Sequence, residues 1–193
     1  MIAIGNGESR RSIDIDKISN TKIGCNAIVR DHFIEHVVCV DRKMLQECAQ
    51  YSINFKRCYT RDRWRFCTDT PYIDTVPDLP YKGTERWDDP FHWGSGPYAV
   101  LIAAGLSDTV KMIGFDLYSN NNCVNNCYRD TENYDDSTKR AVDPRYWILQ
   151  IAKVFECFPQ THFTIYQTPD WQLPQKWNLP NVEVDKISNF TYT

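Results

Sequence analysis

The chain has 193 residues, 42% hydrophobic and 24% charged, which suits a single folded domain over residues 1–193 with a continuous core rather than a disordered segment. Lys+Arg 22 against Asp+Glu 25 leaves a formal net charge of -3, so no general attraction to nucleic acid or to an anionic membrane is expected. No apolar run approaches the ~18–20 residues of a membrane span, and residues 1–5 lack the basic leader and long apolar stretch of a secretion signal.

In chain order, residues 2–4 predict a short strand that ends in Gly5-Asn6-Gly7. Residues 22–25 and 36–40 predict two more. Their unbroken apolar character suits strands covered on both faces, as in a parallel sheet. Residues 41–50 predict a helix, with Asp41 as its N-cap and Met44, Leu45 and Cys48 on one side. Residues 52–93 are irregular and rich in Arg, Pro and Trp, with edge strands expected near 54–59 and 65–68. Ser95-Gly96-Pro97 opens an almost wholly apolar helix over 98–106, and a helix apolar all round is buried. A strand at 110–114 follows. Residues 119–142 are rich in Asn, Asp and Thr, and a loop of that length is expected to be a functional lid or a mobile segment. Asp143-Pro144 starts a helix running to about 158, with Asp143 as its cap. A strand over 161–166 and an edge strand over 182–184 complete the pattern, joined by a segment that holds Trp171, Trp177 and three prolines. Alternating strands and helices predict an α/β fold in three layers with a mostly parallel central sheet.

The 8 cysteines are scattered, several within apolar runs, and are expected as free thiols in a reducing, cytoplasmic setting. Cys123 and Cys127 have close spacing, yet no second pair completes a zinc set, so no metal is expected. Asp14-Ile15-Asp16 is discounted as a metal motif because it does not follow a strand.

Three places could carry chemistry. In Gly5-Asn6-Gly7-Glu8-Ser9, glycine freedom and successive N–H groups could cradle phosphate or ribose oxygens, or make only a tight turn. It is neither the dinucleotide fingerprint nor a P-loop, because Arg10 stands where a third glycine belongs and no Gly-Lys-Ser/Thr follows. At Gly94-Ser95-Gly96-Pro97, Ser95 could cap the helix while the Gly96 amide faces an anion at the positive end of the dipole. Asn26, at a strand end, offers the donor and acceptor needed to read a base edge. Asp41 is placed either for a ribose contact or for capping. Arg10 and Arg11 could meet phosphates or lie on the solvated surface, where His32 and His36 are also expected. Arg61, Arg63, Trp64 and Arg65 form the densest basic and aromatic cluster, diluted by Asp62 and Asp69.

The ordered set of Gly5-Asn6-Gly7-Glu8-Ser9, Cys25-Asn26, Ser95-Gly96-x-Tyr98 and Gly114-Phe115-Asp116-Leu117-Tyr118 resembles the bacterial lipooligosaccharide sialyltransferases, and is similar to motility-accessory glycosyltransferases. The resemblance covers roughly residues 2–26 and 94–158. It implies a Rossmann-like fold and a nucleotide-activated sugar as substrate, with no metal or other cofactor. Asn6, Gly7 and Ser9 would hold phosphate and sugar, Asn26 the nucleoside, and Ser95 and Gly96 the base and phosphate. Tyr118 would donate to the leaving phosphate, where charge develops. A second family tyrosine falls on Val124 without a gap, or on Tyr128 if the loop shifts. The family's general-base His has no counterpart, since no His lies between His92 and His162; Asp143 and His92 are the alternatives. The chain is also similar in texture to small phage-encoded proteins, which would place it in the host cytoplasm. The readings this leaves are a glycosyltransferase, a module that binds or sequesters a nucleotide without turnover, and a structural protein reusing the fold. A nucleotide or nucleotide sugar is the expected partner, with homo-oligomerisation left open.

Overall fold

A computed structural model describes residues 1–119 and 121–193. Its centre is one sheet of eight strands: β1 (Ile2–Ile4), β2 (Lys22–Cys25), β3 (Ile34–Val38), β4 (Phe55–Thr60), β5 (Ile73–Thr75), β6 (Thr109–Ile113), β7 (His162–Gln167) and β8 (Val182–Lys186). Every pairing is parallel, in the order β5-β4-β3-β2-β1-β6-β7-β8. Three helices flank it: α1 (Arg42–Gln50), α2 (Ser95–Leu106) and α3 (Arg145–Cys157). The chain thus has the three-layer, Rossmann-like α/β architecture that its alternating elements predict.

Both sheet faces are dry, which explains the unbroken apolar runs. Ala3, Ile23, Val38, Val110, Met112 and Phe163 turn to one face, against α2, α3, Trp93 and Trp177. Ile2, Ile4, Val37, Phe55, Cys58 and Ile113 turn to the other, against α1, a 3-10 turn at Asn26–Arg30 and the C-terminal Phe190. Nine of the twelve residues of α2 are buried, as its all-apolar sequence requires. Among the described residues, no helix is long and apolar enough to cross a membrane.

Several boundaries differ from the sequence expectation. β3 begins two residues early because Glu35, which looks like a loop residue, accepts the backbone N–H of Lys22 (3.0 Å) on the neighbouring strand. β4 is an interior strand, hydrogen-bonded on both sides. Residues 65–68 form no strand: Arg61 to Cys67 fold into successive turns, closed by Trp64 N–H to Arg61 O (2.9 Å) and Cys67 N–H to Trp64 O (2.9 Å). The edge is instead β5, whose three residues pair with one neighbour only. Asp41 precedes α1 but makes no side-chain cap bond. Ser95 lies inside α2, and the N-cap is Gly94.

Arg10 is not on the surface. It is only 4% exposed, its guanidinium donating to the Tyr128 hydroxyl (3.1 Å) and standing over that ring. His36 lies within β3, half-buried and stacked on Tyr59. The Arg61 guanidinium is spent on the carbonyls of Val40 (2.6 Å), Phe91 (2.6 Å) and Trp93 (3.0 Å). All eight cysteines are free.

Candidate functional site

Counting outward from β1, the strands ascend one way to β5 and the other way from β6 to β8. The chain direction therefore switches between β1 and β6, and α/β sheets take ligands at such a point, beyond the strand C-termini. A cleft of about 440 Å³ opens there. Its walls come from the turns after β1, β2 and β6, the starts of α1 and α2, residues 124–126, 133–135 and 141–142, and Trp147 and Ile151 of α3. Asn6, Gly7, Asn26, Asp41, Ser95, Gly96 and Tyr118 all border it.

The glycine turn spends most of its amides within the protein, and of Gly5 to Ser9 only the Asn6 N–H has no described acceptor. Gly5 N–H donates to Ile113 O (2.8 Å), Gly7 N–H to Gly114 O (2.8 Å), Glu8 N–H to Asn125 Oδ1 (2.8 Å) and Ser9 N–H to Asp116 Oδ2 (2.9 Å). The Ser9 hydroxyl also donates to Asp116, and Ser9 does not border the cleft. The glycines serve the contact between the two turns: a Cβ on Gly5 would overlap the Gly114 carbonyl, and one on Gly7 the Asp116 carboxylate. Asn6 is turned inward as well, its Nδ2 donating to Cys25 O (3.1 Å).

The front of α2 keeps its donors free. Ser95 does not cap; its hydroxyl donates to Asn26 Oδ1 (3.0 Å) and accepts from Val40 N–H (3.2 Å). Tyr98 N–H goes to Gly94 O (3.2 Å) and Pro97 has no N–H, whereas no described acceptor takes the amides of Ser95 and Gly96. Those two donors sit at the positive end of a 12-residue helix that borders the cleft. Asn26 stands at φ 53, a left-handed conformation that Asn tolerates better than most residues, and this presents its side chain to Ser95.

Tyr118 follows another left-handed residue, Leu117 at φ 62. Its ring is part-exposed in the cleft and none of the described side chains hydrogen-bonds its hydroxyl. Burial pushes that hydroxyl above its ordinary value, so it remains a proton donor well into alkaline solution. Val124 borders the cleft, whereas Tyr128 is buried over Arg10.

His92 and Asp143 stand outside the cleft. His92 Nε2 faces Arg86 Nε (3.3 Å), and its backbone O accepts from Gln150 (3.1 Å). Asp143 accepts the Arg145 N–H at the start of α3 (3.0 Å) and pairs with the Arg145 guanidinium (2.6 Å), whose hydrogen bond holds its carboxyl below the usual range. Asp41 lies in the cleft with its carboxylate 3.9 Å from Arg61.

Residues 119–142, of which Asn120 lies outside the described residues, form a pinned wall. Cys127 N–H donates to Asn6 O (2.7 Å), Val124 N–H to Lys139 O (3.0 Å) and Ala141 N–H to Asn122 O (2.8 Å). The sequence marked this segment as a functional or mobile loop without naming most of its cleft residues, and missed Lys43, Asp116 and Trp147. Asp116 follows a strand and was legible by position; Lys43 and Trp147 have no local signal. The lining holds three carboxylates, Asp41, Asp116 and Asp135, against one ammonium, Lys43, which donates to Asn133 O (3.2 Å). Comparison with protein-family models, curated proteins and solved structures finds no match for this chain.

Proposed function

We propose that the cleft binds a nucleotide or nucleotide-activated sugar, and that the chain is a metal-independent glycosyltransferase of the sialyltransferase-like type. The observation that carries this reading is the pair of unspent amides at Ser95 and Gly96, opening into the cleft at the switch point of the sheet. They supply one anion subsite without a basic side chain. Three asparagines, Asn26, Asn126 and Asn133, with Tyr118 and Trp147, give the amide and aromatic surface that suits hydroxyl-rich rings. The acidic excess of the lining disfavours a run of phosphates and favours a single phosphate linkage. Tyr118 would protonate or hydrogen-bond the leaving phosphate, and Asp41 is the carboxylate placed to accept the proton of an incoming hydroxyl.

One observation favours a second reading, binding without turnover: both base candidates drawn from the family pattern, His92 and Asp143, are tied to other residues outside the cleft. A thermal-shift panel of nucleoside monophosphates, diphosphates and nucleotide sugars tests both. Ligand at ~100 times its dissociation constant adds ~2.7 kcal/mol, which raises the melting temperature of a chain this long by roughly 5–11 °C. A response with donor hydrolysis supports transfer, and a response without hydrolysis or transfer supports the module. No response to any member refutes nucleotide binding.

A further inference from the structure

Three cysteines distant in sequence meet on the face of the sheet opposite α2. Cys39 follows β3, Cys48 lies in α1 and Cys58 in β4. Their sulfur atoms all lie within 4.8 Å of one another, and the residues are 0%, 2% and 0% exposed. Bonds to sulfur of about 2.3 Å place the sulfurs of a three-coordinate set roughly 3.5 Å apart if pyramidal and about 4 Å apart if planar, so a modest contraction would close this set around one ion. Among the described residues no fourth His, Cys, Asp or Glu joins the cluster, which does not suit zinc in a closed four-ligand site. Three thiol ligands instead select a soft, three-coordinate ion.

Charge narrows the choice. The cluster lies within an apolar core, and the acids that act on it, Glu47 and Asp74, are each paired with an arginine, Arg30 (2.7 Å) and Arg57 (3.3 Å), so neither those acids nor their partners offset a charged complex. Three thiolates around a monovalent ion would leave two uncompensated negative charges in this interior, and around a divalent ion one, each costly to bury. Around a trivalent ion the complex is neutral. We propose that Cys39, Cys48 and Cys58 form a closed site for a single trivalent thiophilic ion of the arsenite class, separate from the cleft.

The exchange balances without an oxidant. Arsenous acid gives up three hydroxyls; three As–O bonds break and three As–S bonds form. Each thiol proton leaves on a hydroxyl as water, arsenic stays trivalent and no charge is created. Because the cluster is closed to solvent, uptake must follow local opening of α1 and should be slow.

The test uses the full chain carrying Cys67→Ser, Cys123→Ser, Cys127→Ser and Cys157→Ser, which removes the four less buried thiols. Incubated with arsenite, this protein should gain one arsenic less three hydrogens by native mass spectrometry. Its arsenic absorption-edge spectrum should show three sulfur neighbours, and its melting temperature should rise. Adding Cys58→Ser should remove the adduct, as should Cys48→Ala, a second route should the first variant fold poorly. A parallel arm offers copper(I). Absence of an arsenic adduct, an adduct with two sulfur neighbours, or retention of copper(I) but not arsenite would each overturn the assignment.

Discussion

The Ser95 hydroxyl and the Asn26 side-chain oxygen are 3.0 Å apart and joined by a hydrogen bond, which fastens the front of α2 to the end of β2. Because the same hydroxyl accepts Val40 N–H (3.2 Å), three elements around the cleft share one oxygen atom. Ser95→Ala strands that buried amide and leaves Asn26 without its donor. The expected cost is about 1–3 kcal/mol, or roughly 2–4 °C of melting temperature for each kcal/mol. Thermal unfolding checks it; an unchanged melting temperature would mean that water replaces the hydroxyl.

Two glycines of the cleft should respond oppositely to the same substitution. Gly5→Ala drives a methyl group into the Gly114 carbonyl, so β1 and β6 must part. About 3 kcal/mol is expected, at the upper end of overpacking penalties. Gly96→Ala meets only the Phe115 ring at an ordinary 3.6 Å and should leave stability unchanged or slightly higher. Denaturant midpoints of the two variants provide the comparison.

Tyr118→Phe separates chemistry from fold. The ring is 42% exposed and its hydroxyl has no described partner, so unfolding should not change. If the proposed transfer occurs, its rate should fall by ~10²–10³, the usual effect of removing one donor to a developing anion, while donor affinity stays within a few-fold. Equal loss of binding and turnover would assign Tyr118 to ground-state contact instead.

His36 predicts an acid-side loss of stability. Burial, followed by the nearby Arg57, holds its pKa below the ordinary 6.5. Below 6.5 the unfolded chain therefore binds more protons than the folded one. The contribution of His36 is fully present above 6.5 and declines as pH falls through the lower folded value. Melting temperature followed from neutral to acid should drop less steeply in His36→Gln than in the parent protein.

The fold was legible wherever burial leaves a local signature. Ile2-Ala3-Ile4 and Val37-Val38 are apolar without alternation because helices or turns cover both sheet faces, and the pattern of α2 reports its burial directly. Its opening, Ser95-Gly96-Pro97, was legible as a helix start, and the structure sets that start at the cleft with the Ser95 and Gly96 amides unspent.

What the glycine turn does was not legible. All but the Asn6 amide are taken, by Ile113, Gly114, Asp116 and Asn125, more than a hundred residues away, and no local pattern distinguishes a free nest from an occupied one. Arg10 is buried for the same kind of reason: Tyr128, on the distant wall, covers it. The three-thiol cluster is invisible to motif spacing because its members sit just after one strand, within another and in a helix.

By itself, then, the order of apolar runs and helix starts determined a parallel α/β sheet and the end of it where the cleft opens, because covering a strand or opening a helix constrains the residues of that segment alone. Only tertiary structure decided which donors remain for a ligand, which carboxylates and cysteines converge, and which arginine is buried. Those depend on partners brought together through space, and a hydrogen bond or a sulfur contact carries no record of its partner in the neighbouring sequence.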